Sequence, residues 1–416
     1  MKISIVNTYA SGGGAARAAY RLHTGLGHLG HESKMFVQHG QGDNVVRFDT
    51  EISLAGRVLR KARSIAITRS FSKYNKSRPS GVEFFSDDRS LYGAKVIDQI
   101  PPSDLVNLHW VANFVDYTSL PMLANTPVVW TLHDMNPFTG GCHYDGGCNK
   151  YLKSCGQCPQ LGSETTDDLS AKIYRRKQSV FNRMNPEKFH LVSPSKWLAE
   201  EVSRSTLMKR FTVTVIPNGL DTDLFAPRST KELKETFGIS EDNKIVLFIA
   251  DSIENRRKGL QFLLEALSSI NNPSKVTLLS VGGGNTNILT SFKHIQIGSV
   301  QDERLLSMIY SLADVFVIPS VQDNLPNTVI ESISCGTPVV GFNVGGIPDM
   351  VKDGETGLLA KLGDVAGLKA GIEEIITNTI LREAMSENCR KLAVTEYSQL
   401  VQAKRYISLY ESLIEI

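Results

Sequence analysis

The sequence predicts an α/β protein of two doubly wound units in series, each a mostly parallel sheet with helices on both faces. Short apolar runs alternate with helical stretches along most of the chain. The alternation halts once, in a turn-rich segment around Pro217, and then restarts. The length, 416 residues of which 41% are hydrophobic and 21% charged, suits two large cores. The same composition excludes a disordered chain and a small disulfide scaffold.

In order, Lys2–Asn7 reads as a buried strand, Ser11–Gly14 as a turn, Ala15–Leu29 as a helix and Glu32–Val37 as a second strand, which makes a βαβ unit. Further strands are expected at Leu105–Leu108, Pro127–Leu132 and His190–Ser193. Val215–Asp221 and Phe225–Pro227 are dense in turn residues and read as the linker. After it, strands are expected at Lys244–Ile249, Val276–Val281, Ile295–Ile297 and Val315–Ile318. The expected division is therefore a first domain over 1–216, a second over 217–395, and a terminal helix over 396–416 crossing back to the first. Ligands of such folds bind at the carboxyl ends of the strands, so the two domains are expected to face each other across a cleft.

Charge is nearly balanced, with 45 Lys and Arg against 43 Asp and Glu, and nothing in it suggests nucleic acid as a partner. No run of about 18 uncharged apolar residues is present, and Met1–Val6 leads straight into a glycine turn. The expectation is a cytoplasmic protein.

Two glycine-rich turns follow strands, at Gly12–Gly14 and Gly282–Gly284, where backbone can approach a ligand. Neither completes the dinucleotide fingerprint: Arg17 and Asn287 stand where its third glycine belongs, and the second strand ends Val37-Gln38-His39 without a ribose-binding acid. Nicotinamide and flavin enzymes are thereby disfavoured. More informative is Pro319–Glu331, which leaves a buried strand, crosses a polar loop holding Asp323, and enters a helix with Pro326 near its first turn and Gly336 past its end. Amides at that helix start suit phosphate oxygens, while carboxylates suit hydroxyls.

The stretch Asp323–Val340, with acids at Asp323 and Glu331 and the run Cys335-Gly336-Thr337-Pro338-Val339-Val340, resembles the signature of retaining GT-B glycosyltransferases of family 4. Gly12–Ala15 resembles that family's amino-terminal glycine loop, Ile216–Asp221 its linker, and Gly345–Asp349 with Asp353–Leu359 its carboxyl-domain loops. The resemblance implies a GT-B fold of two Rossmann-like domains: an acceptor-side first domain and a second that binds a nucleotide-sugar, with a UDP- or GDP-sugar as donor. It implies that Glu331 binds the donor's ribose and Asp323 touches the transferred sugar. Gly13, Gly14 and the stretch Asn324, Leu325, Pro326, Asn327 would surround the diphosphate, and Lys258 would neutralise it, joined by Arg256 or Arg257. His133, at a strand's carboxyl end, would lie against the donor sugar, with His109 as second choice. Asp323 stands where Glu is commoner, and Ala250-Asp251-Ser252 where an arginine is usual.

Retention implies same-face displacement, with the leaving phosphate helping to deprotonate the acceptor and domain closure excluding water. The expected activity is hexosyl transfer to a growing glycan, lipid-linked or free, in polysaccharide biosynthesis. A GT-B nucleotide-sugar epimerase and a noncatalytic nucleotide-sugar-binding protein are the alternatives.

Cys142, Cys148, Cys155 and Cys158 form a C-x5-C-x6-C-x2-C array in a glycine-rich loop. A structural zinc site, unligated thiols and disulfides are its three readings. No cofactor is expected for catalysis. Between Arg57 and Arg78 stand eight basic residues and no acid, interleaved with apolar ones, which permits an amphipathic helix on an anionic membrane surface, peripheral on the inner face.

Overall fold

The computed structural model describes residues 1–50, 53–284 and 291–415. The chain divides into two compact units, Met1–Pro217 with Gln402–Ile416, and Asn218–Val401. Asn287, the fingerprint position of the second glycine turn, lies outside the described residues.

Among the described residues the first unit carries a seven-stranded parallel sheet: β1 (Lys2–Tyr9), β2 (Glu32–His39), β3 (Val45–Arg47), β4 (Leu105–Leu108), β5 (Val128–Thr131), β6 (Phe189–Ser193) and β7 (Val213–Val215). Their spatial order is β3-β2-β1-β4-β5-β6-β7, with Ile3 opposite Leu105 and Val6 opposite Leu108 at the switch between β1 and β4. Every residue of β4, β5 and β6 is buried, as expected of strands covered on both faces. The helix Gly14–His28 packs on one face through Ala16, Ala19, Leu22 and Leu26, whose spacing makes one stripe. Ala403, Tyr406 and Tyr410 of the terminal helix (Gln399–Ile414) fill the same core beside Ile3, Ile5 and Val129. Burial of a side chain the size of Ile3, Ile5 or Val129 contributes about 1.5–3 kcal/mol relative to exposure.

The second unit repeats the plan with β8 (Lys244–Ser252), β9 (Val276–Gly283), β10 (Lys293–Gly298), β11 (Val315–Ile318), β12 (Val339–Phe342) and β13 (Gly357–Ala360), ordered β10-β9-β8-β11-β12-β13 and all parallel. Its switch point lies between β8 and β11. Three differences from the sequence reading have local causes. The stretch Asp353–Leu359, expected as loop, runs into an edge strand, because Gly357–Ala360 finds its partners on β12 rather than in its own short pattern. Val215, expected in the linker, ends β7. The basic helix is Leu54–Ser72 and stops before Lys76 and Arg78.

Candidate functional site

The switch point of the second sheet gathers three loops. After β8, the turn Arg256–Lys258 is capped by Asn255, whose Oδ1 accepts from the Arg257 amide at 3.0 Å. After β11, Val321 donates its amide to Arg257 O at 2.8 Å, and Arg257 Nη1 donates to Gln322 O at 2.7 Å. A Cβ on Gly259 would stand 1.9 Å from Pro319 O, so this approach needs glycine there. The third loop closes through Gly346, whose amide donates to Asp323 O at 3.0 Å.

Asp323 is the centre of this arrangement. Its Oδ2 lies 2.6 Å from Lys258 Nζ and 3.2 Å from Arg257 Nη1, and it accepts from Ser320 Oγ at 3.3 Å. Burial alone would push its carboxyl up, but Lys258 and Arg257 outweigh burial and hold it at about 2. Two cations share one carboxylate, which leaves local positive charge for an anionic ligand. Arg257 rather than Arg256 joins Lys258 here; the Arg256 side chain is exposed.

The helix Asn327–Ser334 begins beside this cluster, with Pro326 at its N-cap and Gly336 in the left-handed conformation past its end. Pro326 has no amide hydrogen and so cannot donate to a phosphate; the donors of that stretch are the amides of Asn324, Leu325 and Asn327. Asn327 Oδ1 accepts from Asn218 Nδ2 at 3.0 Å. Glu331 is 1% exposed, and its Oε2 accepts from the Tyr310 hydroxyl at 3.0 Å. In this state the carboxylate is turned towards the helix Glu303–Leu312 that carries Tyr310.

In the first unit, Gly13 caps the helix Gly14–His28 with φ +76°, Gly12 has φ +87°, and open space lies over both. Next to that turn, along the carboxyl edge of the sheet, the two histidines named from the sequence meet: His109 Nδ1 and His133 Nε2 are 2.9 Å apart, with rings stacked at 5.2 Å. Asn107 Nδ2 donates to His109 Nε2 at 3.3 Å, Asn107 exchanges hydrogen bonds with Thr131, and Thr131 Oγ1 meets the Tyr406 hydroxyl at 2.9 Å. With the amide donating to Nε2, His109 carries its proton on Nδ1 and gives that hydrogen bond to His133. Burial lowers His133 to about 4, and burial with its neighbour His133 lowers His109 well below the usual value, so the pair is neutral near pH 7.

Sequence reasoning did not find the residues around this pair. Asp134 Oδ2 accepts from Trp110 Nε1 at 2.9 Å and lies 2.6 Å from His143 Nδ1, while His143 Nε2 meets Ser86 Oγ at 2.8 Å. Rings of His39, Tyr9, Trp110 and Phe84 run side by side with centroids 5.4, 6.2 and 6.2 Å apart. Tyr9 is 42% and Phe84 51% exposed. Tyr9 and His39 are the last residues of β1 and β2, and Trp110 follows β4 by two, so aromatic residues recurring at strand ends were the available signal.

The four clustered cysteines are unbridged and line a single small cavity. Among the described residues, no group of three or more His, Cys, Asp or Glu side chains already stands in metal-holding geometry. Cys335 and Cys389 are buried in the second unit. No helix among the described residues is long and apolar enough to cross a membrane.

The family model described as Glycosyltransferase Family 4 matches residues 12–224, and that described as Glycosyl transferases group 1 matches residues 243–378. The N-acetyl-alpha-D-glucosaminyl L-malate synthase of Bacillus anthracis is 25% identical over 211 residues, 48% of this chain and 53% of that protein. The UDP-Gal:alpha-D-GlcNAc-diphosphoundecaprenol alpha-1,3-galactosyltransferase of Escherichia coli is 26% identical over 212 residues, 49% of this chain and 54% of that protein. The matches to these two span about half the length of each. A solved structure of Anabaena HepE in complex with UDP and glucose is similar over 99% of this chain and 100% of that one, with a TM-score of 0.63 and 15% identity. Two parallel Rossmann-like sheets and this likeness make the fold GT-B. With more than half of its residues under one family model, the chain belongs to glycosyltransferase family 4.

Proposed function

We propose that this protein is a retaining glycosyltransferase that moves a hexosyl group from a nucleoside-diphosphate sugar to a hydroxyl of a growing glycan. The observation that carries the reading is the Lys258, Arg257 and Asp323 cluster at the β8/β11 switch point, beside the helix start at Asn327. A fixed pair of cations there stabilises the charge that gathers on the leaving diphosphate, without a metal ion. Glu331 takes the ribose hydroxyls, exchanging its Tyr310 partner for the ligand, and Asp323 contacts the donor sugar. In the first unit Gly13, with open space above it, and Gly14 at the helix start suit an anionic group. In the reaction the anomeric C–O bond to phosphate breaks, the acceptor oxygen bonds to the same face of the sugar, and its proton passes to the leaving phosphate.

The exposed rings of Tyr9, Trp110 and Phe84 suit the apolar faces of acceptor sugars. A lipid-linked acceptor accords with what the Escherichia coli relative's name states of its own substrate, and with the basic helix Leu54–Ser72. There Leu54 and Val58 are 80% and 70% exposed beside Arg57 and Lys61, a composition that suits an anionic membrane surface. Incubation with labelled UDP- and GDP-sugars, with and without diphospholipid-linked glycan, tests the reading: transfer supports it, whereas isomerisation or binding alone overturns it in favour of an epimerase or a binding protein.

A further inference from the structure

We propose that the loop 140–162 folds around one zinc ion held by the thiolates of Cys142, Cys148, Cys155 and Cys158. The four residues are spread along that loop, yet all line one cavity of about 20 Å³, with Asp145 and Lys150 also in its wall. That is room for a single atom-sized guest and too little for an organic ligand. Four sulfurs with no His or carboxylate demanded is the donor set of a closed tetrahedral site, with Zn–S bonds of about 2.3 Å. Among the described residues no three ligating side chains are placed to hold a metal ion, so binding requires the side chains around this cavity to rearrange.

Backbone donors already face two of the sulfurs, against a burial that raises the thiols of Cys142, Cys155 and Cys158. The amides of Gln160 and Leu161, two and three residues past Cys158, are directed at its sulfur, and the amide of Gly140 is directed at Cys155. Between Cys155 and Cys158 both residues are left-handed, Gly156 at φ +131° and Gln157 at φ +46°, which folds the C-x-x-C segment back so that both sulfurs face one space. Lys150 Nζ donates to Gly156 O at 3.1 Å and to Gln157 O at 2.7 Å, holding the same turn from the other side.

Charge points the same way. Zinc with four thiolates carries a net −2, and the four protons displaced pass to solvent. The fully buried ammonium of Lys177 lies within electrostatic reach of Asp88, Cys142, Cys155 and Asp134, and offsets part of that charge. Its Nζ donates to the carbonyls of Asn136 and Thr139, just before the loop. The loop needs such a clamp: among the described residues its only regular pieces are the three-residue turns Lys150–Leu152 and Pro159–Leu161. It also carries His143, so the ion would fix the ring that joins Asp134 to Ser86 beside Phe84 and Trp110.

The test is metal analysis of the full-length chain purified under reducing conditions, with Cys158→Ser, Cys148→Ser and a distant Cys335→Ser control. About one zinc per chain is expected in the parent and the control, falling to near zero in the other two. A thiol reagent should find four slow sulfurs that react together as a chelator releases the zinc. Should the chain emerge metal-free, cobalt(II) is titrated into the reduced parent, which needs no variant to fold. Sulfur-to-cobalt charge-transfer bands saturating at one equivalent support the site. Their absence from a folded chain, or two disulfides within the array by mass spectrometry, overturns it.

Discussion

Lys258 and Asp323 form a part-buried ion pair at 2.6 Å, although the family resemblance sends one to the diphosphate and the other to the sugar. Each holds the other in place: the loop after β8 supplies the cation, the loop after β11 the anion, and neither has to be ordered by the ligand. Removing the anion leaves Lys258 and Arg257 facing each other without compensation, which costs more than the pair's own attraction.

Asp323→Asn should therefore destabilise the chain by at least about 2 kcal/mol at pH 7, the share that corresponds to lowering the carboxyl from 3.8 to about 2. The sign follows from the depressed value: the stabilisation is present above pH 3.8 and is lost as pH falls through about 2. Chemical denaturation of the parent and variant at pH 7 and at pH 3 checks it; the difference between them should shrink at the lower pH.

Glu331→Gln and Glu331→Ala should weaken binding of a nucleoside-diphosphate sugar at least about tenfold by calorimetry, the cost of an unmatched polar group in a site built for it. Tyr310→Phe separates binding from packing. It removes the hydrogen bond at 3.0 Å, costing about 1 kcal/mol of stability, and should leave donor affinity within about twofold. Equal donor affinity in all of these variants would remove Glu331 from the ribose.

The pKa of His133, lowered by burial from 6.5 to about 4, makes its imidazole a neutral partner over the physiological range. The unfolded chain binds the additional proton between these values, so stability rises with pH across about 4 to 6.5 and falls as pH is lowered through that window. NMR titration should show the His133 ring unprotonated at pH 6. An imidazolium signal with a midpoint near 6.5 would contradict the buried hydrogen-bonded pair.

Phe84→Ala, at a side chain half open to solvent, should cost under about 0.5 kcal/mol of stability yet raise KM for the glycan acceptor several-fold with donor affinity unchanged. Arg57→Glu with Lys61→Glu should abolish sedimentation with vesicles rich in anionic lipid, and added salt should do the same to the parent. Arg63 is the control of opposite meaning. Its Nη1 lies 2.8 Å from Asp116 Oδ2, so its loss should loosen the helix rather than its lipid contact.

Much of the fold was legible because strands buried on both faces are continuous apolar runs, as at Val315–Ile318, and because Gly336 and Pro326 punctuate a helix. Strands β3, β7 and β13 were not, since three or four residues of edge strand have no period of their own and form by pairing with a neighbour already in place. Of the site, the acids and cations around Asp323 were readable by resemblance, but their mutual pairing was not. Nor were Ser86, Trp110, Asp134 and His143, which share nothing locally periodic; the pairing of β4 with β5 brings Trp110 to Asp134, and the bridge between Phe85 and Cys142 brings Ser86 to His143.

The hydroxyl of Tyr406 ends a hydrogen-bonded chain that runs through Thr131 and Asn107 to His109 and His133. Thr131 is translated 275 residues before Tyr406. On the ribosome the first unit must wait, its core open at Ile3, Ile5 and Val129, while the entire second unit is made. Emergence of one tyrosine-bearing helix then closes the wall behind the histidines, so a nascent chain stalled before residue 402 would carry the site's residues without the packing that keeps them neutral.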